Sequence, residues 1–201
     1  MIKFSFYSLV LSMLMFSVTN AQAQNLYKLK TDKSSMVVVG TSTVHDWEVK
    51  ATDLNAETAL QFSENSISEI SHIKFISPVT SLKSGKKLMD SKTHEALKAN
   101  KFPEIKFTLK NPESIKLSKE KAVVTGLLTI AGKTKEISLD VNFDIQNREK
   151  IEVSGEVPLK MSEFNIEPPT AMMGTIKTGD EVLIKFNLEF QQTNEAYTRN
   201  F

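Results

Sequence analysis

The 201-residue sequence has no cysteine, which excludes disulfide bonds, thiolate catalysis and zinc sites built from cysteine pairs. It also has no excess of one charge, because Lys+Arg 25 stand against Asp+Glu 24. Binding to nucleic acid requires clustered positive charge, so this balance argues against a nucleic-acid partner. Because the fold has no disulfide cross-links, it must be stabilised by its apolar core.

Long hydrophobic runs are also scarce. One short run extends from Phe4 to Val18, after Lys3 and before Ala21-Gln22-Ala23. A membrane span needs about 20 apolar residues, whereas this order of features is typical of a cleaved secretory signal. We predict a signal peptide over residues 1–23 and one domain over residues 24–201, periplasmic or secreted, without stable membrane insertion. The alternative is an N-terminal helix buried in the folded domain.

Strict alternation of apolar and polar residues dominates the rest of the chain, most clearly from Glu136 to Ile145. Successive side chains on a strand point to opposite faces, so each such segment has one apolar face, as antiparallel strands do. The candidate strands are 36–41, 44–51, 55–62, 70–77, 104–110, 121–130, 135–145, 151–159 and 181–190, with 131–134 as a hairpin loop.

One segment has a different period. Between Lys87 and Ala99 the apolar residues follow a helical spacing, and Pro103 bars continuation. A single helix cannot cover the apolar face of a flat sheet of eight to ten such strands. The strands must therefore pack face to face as a sandwich or close into a barrel. We predict an all-β fold, an eight-stranded antiparallel barrel with one short inserted helix near 87–99. The interior of such a barrel is either filled by side chains or holds one small ligand.

Aromatic residues on the apolar faces are the first candidates for a ligand site. Trp47 should face the interior, with its indole N–H hydrogen-bonded near the barrel mouth. His45 shares that strand face and is predicted at a polar rim, or as a histidine without a binding role. Asp46 and Glu48 point the other way, so no metal site is predicted here. The further lining candidates are Phe62, Phe107, Phe143 and Phe186.

Two neighbouring methionines are a further candidate. Met172 and Met173 follow Pro168-Pro169 in a segment without strand or helix periodicity, and could form a flexible apolar lip over a ligand opening. The alternative is a surface loop whose methionines plug the core. Elsewhere, no catalytic arrangement, phosphate loop or cofactor motif is recognisable, so catalytic residues, metals and cofactors are not predicted.

Four segments resemble landmarks of the YceI-like family, in family order. Residues 100–107 resemble its "FPxIxF" junction, 124–135 its "VxGxLTIxGxTK" hairpin, 161–166 its "xRSxFGI" segment and 178–182 its "xGDEV" segment. Met161 stands where the family pattern has Arg and Asn165 where it has Gly, and residues 44–49 replace its Phe/Gly-rich start. Phe164, in the third landmark, completes the set of candidate ligand-binding residues.

The resemblance implies a lipocalin-like barrel in the periplasm that binds a polyisoprenoid, an isoprenoid quinone or a fatty-acid derivative. We therefore predict a non-enzymatic, exported protein that holds such an apolar ligand in its cavity. One alternative is a cell-envelope interaction module with a filled barrel and a function carried by its loops. An outer-membrane barrel is less consistent with one Trp and three Tyr, too few for two interfacial girdles. A homodimer sharing one elongated ligand stays open.

Overall fold

The computed structural model describes residues 24–198, and in this range thirteen strands and one α-helix are found. The predicted signal peptide therefore lies outside the described residues. The elements are β1 (Gln24–Leu29), β2 (Ser35–Ser42), β3 (Trp47–Ala51), β4 (Asn55–Ser63), β5 (Ser66–Pro78), β6 (Leu82–Lys83), α1 (Lys87–Ala96), β7 (Glu104–Leu109), β8 (Lys116–Leu117), β9 (Lys121–Ile130), β10 (Lys133–Asn147), β11 (Lys150–Lys160), β12 (Thr170–Ala171) and β13 (Ile176–Tyr197). Within residues 24–198 no helix combines the length and the apolar content that crossing a bilayer would require.

Eight strands form a closed antiparallel ring in the order β1-β4-β5-β7-β9-β10-β11-β13, with β13 pairing back to β1. This confirms the predicted eight-stranded barrel. The closing strand β13 is 22 residues long. Its C-terminal part pairs with β1 and its N-terminal part with β2, which continues into β3 and β6. The wall is therefore extended at one end by three additional strands.

Two predicted boundaries differ from the structure for local backbone reasons. The hairpin loop is a two-residue turn, Ala131-Gly132, with φ of 49° and 81°. Two consecutive positive φ values are typical of the type I′ turn, whose twist matches a hairpin. The helix ends at Ala96 rather than near Ala99, because Lys98 adopts a left-handed conformation with φ 55°.

The two faces of the barrel wall differ in polarity as the alternation predicted. Every second residue of β9 from Ala122 to Ile130 is buried. Charged side chains lie on the outer face and form exposed ion pairs, such as Lys185 with Glu156 and Lys160 with Glu181. Exposed pairs contribute less than about 1 kcal/mol each, so burial of the inner face stabilises the fold.

One end of the barrel is closed by a small network around Tyr27. This side chain is fully buried, and its hydroxyl donates a hydrogen bond to the Arg148 carbonyl in the β10–β11 turn. The Arg148 guanidinium in turn donates to the Glu64 carbonyl in the β4–β5 turn. Burial raises the pKa of Tyr27, which further favours the neutral hydroxyl that donates this hydrogen bond. Ile115 and Leu117, before and in β8, also pack against the core.

At the other end, the third and fourth sequence landmarks are joined directly. Ser162 donates to the Asp180 carboxylate twice, from its backbone N at 2.8 Å and from Oγ at 2.6 Å. These bonds hold the 3-10 turn Met161–Phe164 against the start of β13. Asn165 follows with φ 56°, a left-handed conformation that favours Gly or Asn. Phe164 and Ile166, on either side of it, are both buried.

Replacing Tyr27 by Phe should remove the hydrogen bond that closes the barrel end and leave the Arg148 carbonyl without it. We expect the free energy of unfolding to fall by about 1–2 kcal/mol, measured by urea denaturation. The matched control is Tyr197→Phe, because Tyr197 stacks on the His72 ring at a centroid distance of 4.8 Å and the Phe ring keeps that contact. Equal losses in both variants would contradict the role of the Tyr27 hydroxyl.

The Ser162–Asp180 link should make stability depend on pH. The Ser162 hydroxyl, and then its backbone N–H, lower the pKa of the Asp180 carboxyl. A lowered folded-state pKa stabilises the protein at neutral pH, and this stabilisation is lost as the pH falls through that pKa. The stability difference between the protein and Asp180→Asn should therefore be constant above about pH 4 and shrink below it. Ser162→Ala should give the same profile, and a pH-independent difference would refute the link.

Candidate functional site

The barrel encloses a cavity of about 480 Å³. Its walls are the inner faces of β2 to β7, β9 to β11 and β13, together with α1. Inward side chains such as Ile137, Leu139 and Val153 are only half-buried, because they border this hollow. The volume lies in the range of ligand pockets, roughly 300–1,000 Å³. The interior is therefore not the solid plug that the filled-barrel alternative requires.

Glycines on the inner wall help to keep the interior open. Three of them lie beneath an aromatic ring of the neighbouring strand, where a Cβ would come within 2.2–2.7 Å of a ring carbon. The pairs are Gly40 with Trp47, Gly126 with Phe107, and Gly155 with Phe186. Without a Cβ in the way, each ring lies against the wall instead of projecting across the cavity, as aromatic rings do over strand glycines elsewhere.

The mouth of the cavity lies at the end that carries α1. The helix and the residue that follows it contribute Leu88, Met89, Ala96 and Leu97 to the lining, at the helical spacing predicted from the sequence. Gly85, with φ 80°, turns the chain from β6 into the helix. The carboxylate of Asp90 then accepts hydrogen bonds from the backbone N and the Oγ of Ser84, both at 2.7 Å, and these bonds lower its pKa. The helix is thereby anchored to the rim.

Trp47 and His45 stand at this mouth. The Trp47 indole N–H donates to the Thr41 carbonyl at 2.9 Å, which is the kind of hydrogen bond predicted for it. Its ring lines the cavity. His45 is exposed, and its Nδ1 lies 2.7 Å from the Asp46 carbonyl oxygen. Both residues are thus positioned by backbone contacts in and beside the β2–β3 loop.

Charge is confined to the mouth. Among the described lining residues the groups able to carry charge are Lys86 just before α1, Lys92 of α1 and His45 of the β2–β3 loop. Polar groups on the lining strands are engaged by the backbone: Thr58 Oγ1 donates to the His72 carbonyl and Ser77 Oγ to the Asp53 carbonyl, each at 2.8 Å. The deep part of the cavity therefore presents an apolar surface with its polar groups already satisfied.

The structure brings together six of the nine side chains predicted to bind ligand. The residues that line the cavity are His45, Trp47, Phe107, Phe143, Phe164 and Phe186. Phe62 lies elsewhere, near the closed end, with its ring centroid 6.4 Å from that of Tyr27. Phe62 still packs against the core, as the alternation of β4 predicts, but it does so beside Tyr27 at the closed end and not at the cavity. Binding roles for these residues stay predictions.

Met172 and Met173 also lie outside the lining, although their loop borders the mouth through Pro169, Thr170 and Ala171. Both have positive φ, 51° and 57°, and their side chains are 73% and 108% exposed. The alternative that they plug the core is therefore wrong. The left-handed backbone of this loop determines where the two side chains point. Methionine rarely adopts that conformation, so the sequence does not indicate it.

Sequence reasoning also missed part of the lining. Met161 is half-buried and borders the cavity, at the position where the family pattern has Arg. The sequence places Leu88 and Met89 on a helix, but nothing in the helix itself indicates that it lies at the mouth of the cavity. Aliphatic residues such as Leu139 and Val153 could have been found, because they occupy the apolar face of the clearest strands.

Comparisons with known proteins agree with this architecture. A Burkholderia cenocepacia protein, BcnA, is 24% identical with a TM-score of 0.65, and the match covers 80% of this chain and 98% of that one. A polyisoprenoid binding domain from Saccharophagus degradans, implicated in plant cell wall breakdown, is 13% identical with a TM-score of 0.64, covering 83% and 98%. The Campylobacter jejuni YCEI protein is 25% identical with a TM-score of 0.54, covering 71% and 85%.

No curated protein sequence matches the chain. The family model for the YceI-like domain, however, matches residues 27–190. This range includes the closed ring except for the first residues of β1 and the last residues of β13. The same range holds all four landmarks and every residue placed at the cavity. The chain therefore belongs to the YceI-like domain family.

Proposed function

We propose that this protein is a non-enzymatic binding protein that holds a long apolar ligand, such as a polyisoprenoid, an isoprenoid quinone or a fatty-acid derivative, inside its barrel. The observation that carries the proposal is the cavity of about 480 Å³ with apolar walls and charges only at its mouth. Family membership and the structural similarity to a polyisoprenoid binding domain support it.

Apolar burial can supply the affinity. Each buried CH₂ contributes about 0.8 kcal/mol, so about ten buried carbons would contribute roughly 8 kcal/mol. Association costs an estimated 4–15 kcal/mol, which a chain of several isoprene units can offset without a dedicated polar contact. The half-buried inner wall, including Ile137 and Val153, would gain dispersion contacts from the occupant.

The charge distribution also orients the ligand. Its apolar chain should extend toward the closed end, where Ile151 and Phe190 are buried, and any polar end should lie at the mouth beside Lys86 and Lys92. Met161 carries no charge, so the adjacent wall offers no ionic contact at the position where the family pattern has Arg. A ligand with a neutral or weakly polar end is accommodated equally well.

We also propose that the protein is exported after removal of residues 1–23. This is supported by the order of Lys3, a short apolar run and Ala21-Gln22-Ala23 in the sequence. Protein recovered from the cell envelope should then have the intact mass of a chain that begins at Gln24. An uncleaved N-terminus would contradict the export proposal and leave the ligand proposal untouched.

The direct test is to identify what the purified protein carries. We expect organic extraction of detergent-free protein, followed by mass spectrometry, to release an isoprenoid or acyl lipid. Trp47 is the single tryptophan of the sequence and lines the cavity, so its fluorescence should change when farnesol or palmitate is added. Recovery of no lipid, together with no fluorescence change with either probe, would overturn the proposal.

Filling the cavity should weaken binding. Val153 lines the cavity on β11, whereas Ser154 lies on the outer face between Asn142 and Asn187. Val153→Phe should therefore weaken farnesol binding about tenfold, measured by titration of Trp47 fluorescence, because the larger side chain occupies ligand space. Ser154→Phe is the matched control and should bind as the unmodified protein does. Equal affinities for all three proteins would place the ligand outside the barrel.

A further inference from the structure

The large hydrophobic side chains that remain exposed share one end of the molecule. Among residues 24–198 they are Val44, Leu88, Met172 and Met173, with exposures of 63%, 72%, 73% and 108%. Soluble proteins commonly expose single apolar residues, but a group confined to one end indicates an interaction surface. We call this group the apolar rim.

Backbone contacts show that the rim is contiguous with the cavity mouth. Thr43, beside Val44, donates from its backbone N to the Lys177 carbonyl at 3.0 Å and accepts at Oγ1 from the Lys177 N at 3.2 Å. Thr175, two residues beyond Met173, donates to the Met172 carbonyl at 3.2 Å. The Val44 loop and the methionine loop are thus bound to the same short segment.

The third part of the rim lies on α1. Leu88 is exposed and at the same time lines the cavity, in common with His45 next to Val44 and Ala171 next to Met172. The apolar side chain of Leu88 is therefore shared between the outer surface of the molecule and the cavity lining. A second observation concerns the methionine loop: Met172, Met173 and Gly174 all have positive φ, and the two side chains are directed into solvent rather than into the nearby cavity.

Cationic side chains flank this rim. Lys86 and Lys87 begin the α1 region and Lys177 adjoins the methionine loop, and none of the three forms an ion pair within the described chain. Two exposed carboxylates, Asp46 and Glu167, lie on loops at the same end. Apolar side chains edged by lysines are characteristic of surfaces that lie at a bilayer interface, where the lysines reach the headgroups.

We propose that the apolar rim docks the mouth of the barrel reversibly onto a lipid bilayer surface, so that a lipid passes between membrane and cavity without crossing water. The lipid-transfer part rests on the proposed function, whereas the docking itself does not. Val44, Met172 and Met173 insert among the acyl chains near the headgroups, and Lys86, Lys87 and Lys177 strengthen binding when the headgroups are anionic. The barrel itself remains outside the hydrocarbon core.

The test uses three rim residues that do not line the cavity, so that docking is separated from ligand holding. The purified protein is sedimented with sucrose-loaded vesicles of phosphatidylcholine alone or mixed with phosphatidylglycerol. Val44→Ser combined with Met172→Ser and Met173→Ser should weaken partitioning to both vesicle types by about tenfold or more. The conservative pair Met172→Leu and Met173→Leu keeps the apolar surface and should retain binding.

Charge is tested separately. Lys87→Gln and Lys177→Gln together, at two lysines that do not line the cavity, should weaken binding to the mixed vesicles several-fold and leave binding to phosphatidylcholine unchanged. The matched control is Lys116→Gln with Lys119→Gln, on the β7–β9 segment at the closed end, which should bind like the unmodified protein.

Three outcomes would overturn docking. The protein sediments with neither vesicle type, the closed-end control loses as much vesicle binding as the rim lysine variant, or the serine variant binds vesicles as well as the unmodified protein does. A serine variant that instead turns a dimer into a monomer by sedimentation velocity, with no vesicle binding in either form, would assign the rim to a second copy of this chain. Farnesol titration of Trp47 is run on every variant. A serine variant with normal titration and lost sedimentation supports docking, whereas an unmodified protein that sediments with vesicles but shows no titration counts against the proposed function alone.

Discussion

Closure of the ring through β13 is the constraint on which the remaining features depend. Its C-terminal part pairs with β1 and its N-terminal part with β2, while β11 pairs with residues 181–191 in its middle. A single strand therefore joins the closed end of the barrel to the open one. The two ends differ because β13 has different partners at each: β1 brings Tyr27 to the closed end, and β2 leads into the loop that carries His45. The asymmetry of the site thus follows from the pairing of one strand.

A closed ring of eight strands does not by itself produce a hollow interior. Eight strands enclose a space that side chains can just fill, and this inner wall contains several aromatic residues. Glycine at Gly40, Gly126 and Gly155 allows three of those rings to lie against the wall. An apolar wall without an occupant forgoes dispersion contacts, so the packing that keeps the space open also favours an apolar ligand in it.

The ring could be predicted because its information is local. Alternation along β9, β10, β11 and β13 indicates which face turns inward, and an apolar face must be buried somewhere, which leads to closure. The side chain of Trp47 could be placed in the same way, since an indole needs both an apolar contact and a hydrogen-bond acceptor. These predictions required only the period of the pattern and the chemistry of single residues.

The features that were missed depend on backbone conformations or on contacts distant in sequence. Phe62 packs beside Tyr27 at the closed end and not at the cavity, and Met172 and Met173 lie in left-handed backbone. The Tyr27–Arg148 and Ser162–Asp180 hydrogen bonds join residues 121 and 18 positions apart, and no sequence period connects them. Pattern reasoning finds the wall of the barrel, whereas its two ends are determined by such contacts.

The Ser162–Asp180 link also shows how substitutions at the mouth can be tolerated. Asn165 has a left-handed conformation and stands where the family pattern has Gly. Asn adopts this conformation more readily than most other residues with a side chain. The backbone of the turn is thereby preserved, and with it the burial of Phe164, while the preceding position is free to change from Arg to Met161. Because Met161 borders the cavity, this change removes a charge from the wall without altering the frame that supports it. In this chain the cavity wall is therefore apolar at Met161, while the hydrogen bonds between Ser162 and Asp180 hold the mouth.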